Sequence, residues 1–204
     1  MTALAQALRS HDPSRAKPAI DVVLVVLGSL TMALLAQVSV PLPFTPVPVS
    51  GQTLGVLVVG GALGSGLGAA AMALYLAEGA IGLPFFAEGR SGVELLGFSS
   101  ATGGYLWGFV AAGYVVGRLT EKGWDRAIGS SLGAMLIGEV IIFTMGVAWL
   151  AQALDISAEA ALEAGLYPFI VGDVLKLAIA AGILPAAWRL VRRRDGDGNG
   201  RASS

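Results

Sequence analysis

Tyr167-Pro168-Phe169-Ile170-Val171-Gly172-Asp173-Val174-Leu175-Lys176 opens a run that reads Leu, Val, Ile and Ala as far as Trp188. Asp173 and Lys176 are three residues apart, so on a helix they share a face and can touch. On a soluble surface such a pair contributes at most about 1 kcal/mol. Here the flanks are apolar for long enough to cross lipid. Ionisable groups inside a membrane span are costly and by default mark a functional site facing the bundle interior. The alternative is an ion pair that only locks two helices, although such pairs often add nothing over apolar packing.

The whole chain supports the lipid reading. Of its 204 residues 55% are hydrophobic and 13% charged, about half the charged share of soluble domains. The mean hydropathy is +0.74. One soluble core cannot account for that figure, and the chain reads as an all-α integral membrane protein. It has no Cys and a single His, His11, in a polar N-terminal tail. Thiolate chemistry is excluded, and a His-based metal site or catalytic triad is not expected. Nor is there a GxxxxGK[ST] motif, so the chain does not hydrolyse ATP through a P-loop. No enzyme activity, cofactor, metal or nucleic-acid partner is expected.

Upstream of the quoted stretch, five apolar segments read as spans. Residues 20–40 form the first, long enough to cross about 30 Å of hydrocarbon. Within it Ser29 and Ala33 are four apart, a spacing that lets another helix approach closely. They serve either packing within the chain or docking of a partner subunit. Pro41-Leu42-Pro43-Phe44-Thr45-Pro46-Val47-Pro48 follows, a stiff, extended, uncharged segment. It is either a connector or a lid over a pocket. Residues 52–63 and 66–76 form two short spans around a glycine-rich turn. Gly64-x-Gly66-x-x-Ala69 in that turn mimics a dinucleotide fingerprint, but without the preceding strand that the fingerprint requires.

A Gly-rich loop, 78–97, carries Glu78, Glu88, Arg90 and Glu94. The fourth span, 102–119, repeats Gly104, Gly108 and Ala112 on one smooth face. Tyr105 and Trp107 near its start are interfacial anchors or stack on a ligand ring. The fifth span, 127–150, holds Glu139 near mid-depth, where it completes a polar pocket or partners Lys176. An acidic connector with Asp155, Glu159 and Glu163 leads to the sixth span, 166–190.

The spans divide the chain into a tail at 1–19, a six-helix domain at 20–190 and a basic, disordered tail at 191–204. Eleven of the thirteen Lys and Arg residues fall at the termini or in the Arg118–Arg126 turn. Basic residues collect in cytoplasmic loops, which puts both termini inside. Asp173 and Lys176 are then reached from outside, beneath the Pro-rich segment and the 78–97 loop. A small amphipathic solute suits one cation and one or two carboxylates in an apolar pocket.

Five motifs in order carry a family resemblance. They are the Pro41–Val49 run with Gln52-Thr53, Leu74-Tyr75-Leu76, Gly82-Leu83-Pro84-Phe85-Phe86, Thr102-Gly103-Gly104-Tyr105 and Gly172-Asp173-Val174-Leu175-Lys176. Over roughly residues 20–190 the chain resembles the BioY family, the biotin-binding S components of energy-coupling-factor (ECF) transporters. The resemblance implies the six-helix S-component fold in the cytoplasmic membrane and capture of biotin from outside. It also implies docking to a transmembrane coupling (T) protein with two cytoplasmic ATPases. Asp173 and Lys176 match the family's ligand-contacting Gly-Asp-x-x-Lys positions. Glu88, Arg90, Tyr105 and Glu139 are further ligand-site candidates, and Ser29 and Ala33 are the docking candidates. A standalone or oligomeric biotin transporter is the alternative.

Overall fold

A computed structural model describes residues 17–200, with side chains from 18 to 189. Residues 1–16 of the expected N-terminal tail and the last four residues lie outside the described residues. Among the described residues seven α-helices follow in order: α1 Lys17–Gln37, α2 Gln52–Leu63, α3 Ser65–Ala80, α4 Gly103–Glu121, α5 Ile128–Ala153, α6 Ala158–Gly165 and α7 Ile170–Gly200. Three are long and apolar enough to cross a membrane, at Pro18–Gln37, Ile128–Ala153 and Ile170–Arg189. At 1.5 Å per residue, the twelve residues of α2 extend only about 18 Å.

Glycine sets how closely the central helices approach. A Cβ on Gly60 of α2 would lie 2.9 Å from the Gly113 Cα of α4, and one on Gly68 of α3 would lie 2.9 Å from the Gly60 Cα. Three backbones therefore meet with no side chain between them. On the opposite side of α4, Gly104 packs on Trp149 and Gly108 on Ile142, with Ala112 fully buried. This is the smooth face that the spacing predicts, and its partner is α5. Between α2 and α3 the chain reverses at Gly64 alone (φ 85°, ψ 176°), a conformation open to glycine and strained for other residues.

Several expectations need correction. Ser29 is fully buried and Ala33 nearly so, and the Ser29 hydroxyl donates to the Glu78 carboxylate of α3. Gly28 beside them faces Ala71 of α3. This stripe packs α1 against α3, the first of the two roles that its spacing allows. Glu78 belongs to α3, which continues to Ala80, because Ser29 gives its carboxylate a donor inside the bundle. The Pro-rich segment is flanked by a short antiparallel pair, β1 Ser39–Val40 with β2 Val49–Ser50.

The acidic connector contains α6. Ser157 caps it by accepting from the Ala160 N–H at 3.2 Å, and Ala and Glu residues propagate it. The last helix starts at Ile170, later than 166, and runs on to Gly200 through the expected disordered tail. Extending a helix already nucleated costs less than starting one.

The two ends of the bundle differ in character. At the end where α3 begins, the Ser65 N–H and hydroxyl both donate to Glu121 Oε1 at 2.8 Å, and Arg118 meets Oε2 at 3.1 Å. Asp125, fully buried, accepts from the Trp188 indole N–H and so ties α7 to the α4–α5 turn. At the other end β2, the 78–97 loop and the start of α7 border a cavity between α2, α4 and α5.

Candidate functional site

Asp173 falls in the first turn of α7, where the helix dipole favours a negative charge. Its Oδ1 accepts from Lys176 Nζ at 2.7 Å and from the Thr53 hydroxyl at 3.1 Å. Lys176 Nζ also donates to Thr53 Oγ1 at 3.2 Å. The side chains are 6% and 15% exposed, so this is a buried pair bridged by a hydroxyl from α2. The other oxygen of Asp173, Oδ2, is buried without a hydrogen-bond partner among the described residues. A buried acceptor with unused capacity is expensive unless something arrives to use it.

The pair forms part of the wall of a cavity of about 570 Å³, its open mouth included. Phe86, Phe109, Phe143 and Phe169 supply aromatic lining, and Val47 and Pro48 bring the Pro-rich segment to it. Arg90 enters from the 78–97 loop. There Glu88 and Gly89 both take left-handed backbone angles, φ 64° and 68°, and the turn they make brings Arg90 to the cavity. The lining, apolar with a few polar groups, is that of a small-molecule pocket.

Four of the six ligand-site candidates, Arg90, Tyr105, Asp173 and Lys176, line this cavity. Tyr105 offers its ring only. Its hydroxyl donates to the Gly165 carbonyl at 2.7 Å, and the ring lies where a Cβ on Gly146 would be. Glu88 is not among the lining residues; its carboxylate lies 3.5 Å from Arg90 Nε. Glu139 is buried but lines a second, apolar groove between α5, α6 and α7. Trp107 turns outward and donates to the Leu96 carbonyl at 3.1 Å.

Sequence reasoning passed over three polar residues of this region. Thr53 bridges the charged pair, and Gln52 donates to the Tyr75 hydroxyl at 2.7 Å. Tyr75 in turn donates to the Phe85 carbonyl at 3.1 Å, which fixes the loop that carries Phe86 and Arg90. The available signal was a Gln-Thr pair opening an otherwise apolar helix.

The sequence model of the BioY family matches residues 6–193. The biotin transporter BioY of Rhizobium etli is 35% identical over 169 residues, 79% of this chain and 89% of that protein. Its counterpart from Thermotoga maritima is 33% identical over 158 residues, 78% of this chain and 90% of that protein. Among solved structures, the S-component for biotin from an ECF-type ABC transporter superposes with a TM-score of 0.78. The match covers 87% of this chain and 95% of that one at 23% identity, so it speaks for the fold. A helical bundle of this topology, matched along nearly its whole length by one family's pattern, leaves no ambiguity of kinship: the chain belongs to the BioY family.

Proposed function

We propose that this chain captures biotin in the cavity walled by Asp173, Lys176 and Thr53, as the substrate-specific component of a biotin uptake system. The observation that carries the reading is the buried acid–base pair with an unused carboxylate oxygen beside four phenylalanines. Biotin has a ureido head with two N–H donors, an apolar body and a carboxylate. The free Oδ2 of Asp173 suits an N–H donor, and the phenylalanines suit the body. Lys176 is already engaged by Asp173 and Thr53. Arg90, more exposed than Lys176 and held by Glu88 only at 3.5 Å, suits the ligand carboxylate.

In this reading α1–α5 and α7 span the cytoplasmic membrane, with α2 accommodated in the bilayer by tilt and local thinning. Both termini face the cytoplasm and the cavity faces outside, because the basic residues collect at the opposite end. Release inward uses a transmembrane coupling protein and two ATPases, in keeping with the absence of a P-loop from the chain. Cells lacking every coupling subunit separate this from standalone or oligomeric transport. Biotin uptake in such cells, driven by this chain alone, refutes the need for a partner.

Equilibrium binding of labelled biotin to the purified protein in detergent tests the capture step. Saturable binding that competes with unlabelled biotin and disappears in Asp173→Ala supports it. No binding by the wild-type protein rejects it. Comparing biotin with its methyl ester tests the orientation: Arg90→Ala weakens biotin and leaves the ester unaffected.

A further inference from the structure

Glu139 is a buried charged residue that the capture reading leaves unused. It projects from α5 and is 4% exposed. Neither of its carboxylate oxygens has a hydrogen-bond partner among the described residues. It does not line the biotin cavity. It opens instead on the apolar groove between α5, α6 and α7, whose wall includes Leu136, Val140 and Leu162. Phe143 and Asp173 border both spaces, so these two side chains separate cavity from groove, with Lys176 on the cavity side.

The charged groups that face Glu139 come from one element. Asp173 and Lys176 of α7 are those whose fields reach it. At the neighbouring Gly138, α2 and α4 present Leu57 and Val116, and α6 brings Ala158 and Leu162 to the groove. Two acids therefore compete for one ammonium, and Asp173 holds it at 2.7 Å. A carboxylate left bare in such surroundings is strongly disfavoured, and neutralisation is its usual escape.

We propose that Glu139 is a proton-binding site linked to the ligand site through Lys176. The proposal rests on the biotin-capture reading above. With the proton on Glu139, the cluster holds one anion and one cation, and Lys176 stays on the cavity wall. When the proton leaves, the cluster gains a second anion. Glu139 then competes with Asp173 for Lys176 and draws the ammonium toward the groove. Both effects oppose an anionic ligand, so biotin binds the protonated form better and its capture takes up a proton from solution. The ionisation only transfers that proton to water or buffer; no covalent bond of the ligand changes.

By linkage, biotin affinity then falls as pH rises through the Glu139 titration, by up to about tenfold per pH unit. The test is equilibrium biotin binding to the purified protein from about pH 5 to about pH 9, for wild type and Glu139→Gln. The expected result is a falling wild-type affinity and a flat, high affinity in the variant. Tight wild-type binding with no pH dependence, or the same dependence in Glu139→Gln, overturns this inference and leaves the capture reading standing. No biotin binding at any pH overturns both. Infrared spectroscopy of the wild type decides the matter without the variant. A protonated-carboxyl band that disappears in step with the affinity supports the proposal, and an affinity change with no such band refutes it.

Discussion

At the end of the bundle where α3 begins, Glu121 accepts from the Ser65 N–H, the Ser65 hydroxyl and Arg118, using both of its oxygens. At the end where α7 begins, Asp173 places both of its donors, Thr53 and Lys176, on one oxygen and leaves the other bare. Both carboxylates sit at a helix N-terminus, Glu121 at that of a neighbouring helix and Asp173 at its own. The first has its bonding capacity filled by the fold, and the second is held in place with capacity to spare. On the biotin-capture reading, the contrast separates a group that holds helices together from a group prepared for a visitor.

The sharpest way to break this comparison is to remove one partner of the buried pair. Asp173→Ala or Lys176→Ala leaves a lone buried charge, a penalty of about 3–5 kcal/mol. Biotin binding in detergent is expected to weaken by roughly a hundred- to several thousand-fold. Unchanged affinity in both variants would make the pair structural, like Glu121. Next in size is Thr53→Val, which removes a hydroxyl that both accepts from Lys176 and donates to Asp173. Its expected cost is about 1–2 kcal/mol, read as a roughly five- to thirtyfold rise in biotin Kd.

The other end sharpens the comparison by responding in the opposite way. Glu121→Ala takes away the acceptor for the first turn of α3, worth about 1 kcal/mol by analogy with helix caps. The melting temperature should fall while the biotin Kd stays constant; a change in Kd would mean that the two ends communicate. Arg118→Ala is the smallest expected effect. Its side chain is 60% exposed, and solvent screening holds such a pair to well under 1 kcal/mol. Neither melting nor binding should move measurably.

What the sequence made legible follows from how each signal is encoded. Asp173 and Lys176 stand out because two charges interrupt an apolar run, a contrast visible in one dimension. The Gly104–Gly108–Ala112 face is periodic and so visible too. Thr53 is uncharged, and its importance arises where α2 crosses α7, a proximity that no local pattern records. Ser29 and Ala33 show the converse. Small residues at a four-residue spacing announce a close approach but not its partner, which proves to be α3 of the same chain. The helix α6 was readable in principle, since Ser157 followed by Ala, Glu and Leu is a capped helical sequence, but its acidic character masked it as a connector.

The backbone contact of Gly60, Gly68 and Gly113 has a mechanical consequence. With no side chain between α2, α3 and α4 there is no rotamer to switch where their backbones touch. Thr53 belongs to α2 of this group, whereas Asp173 and Lys176 belong to α7 and Glu139 to α5 beside it. On the biotin-capture reading, the Thr53 hydroxyl is therefore the gauge of any shift between α2 and α7 when ligand arrives.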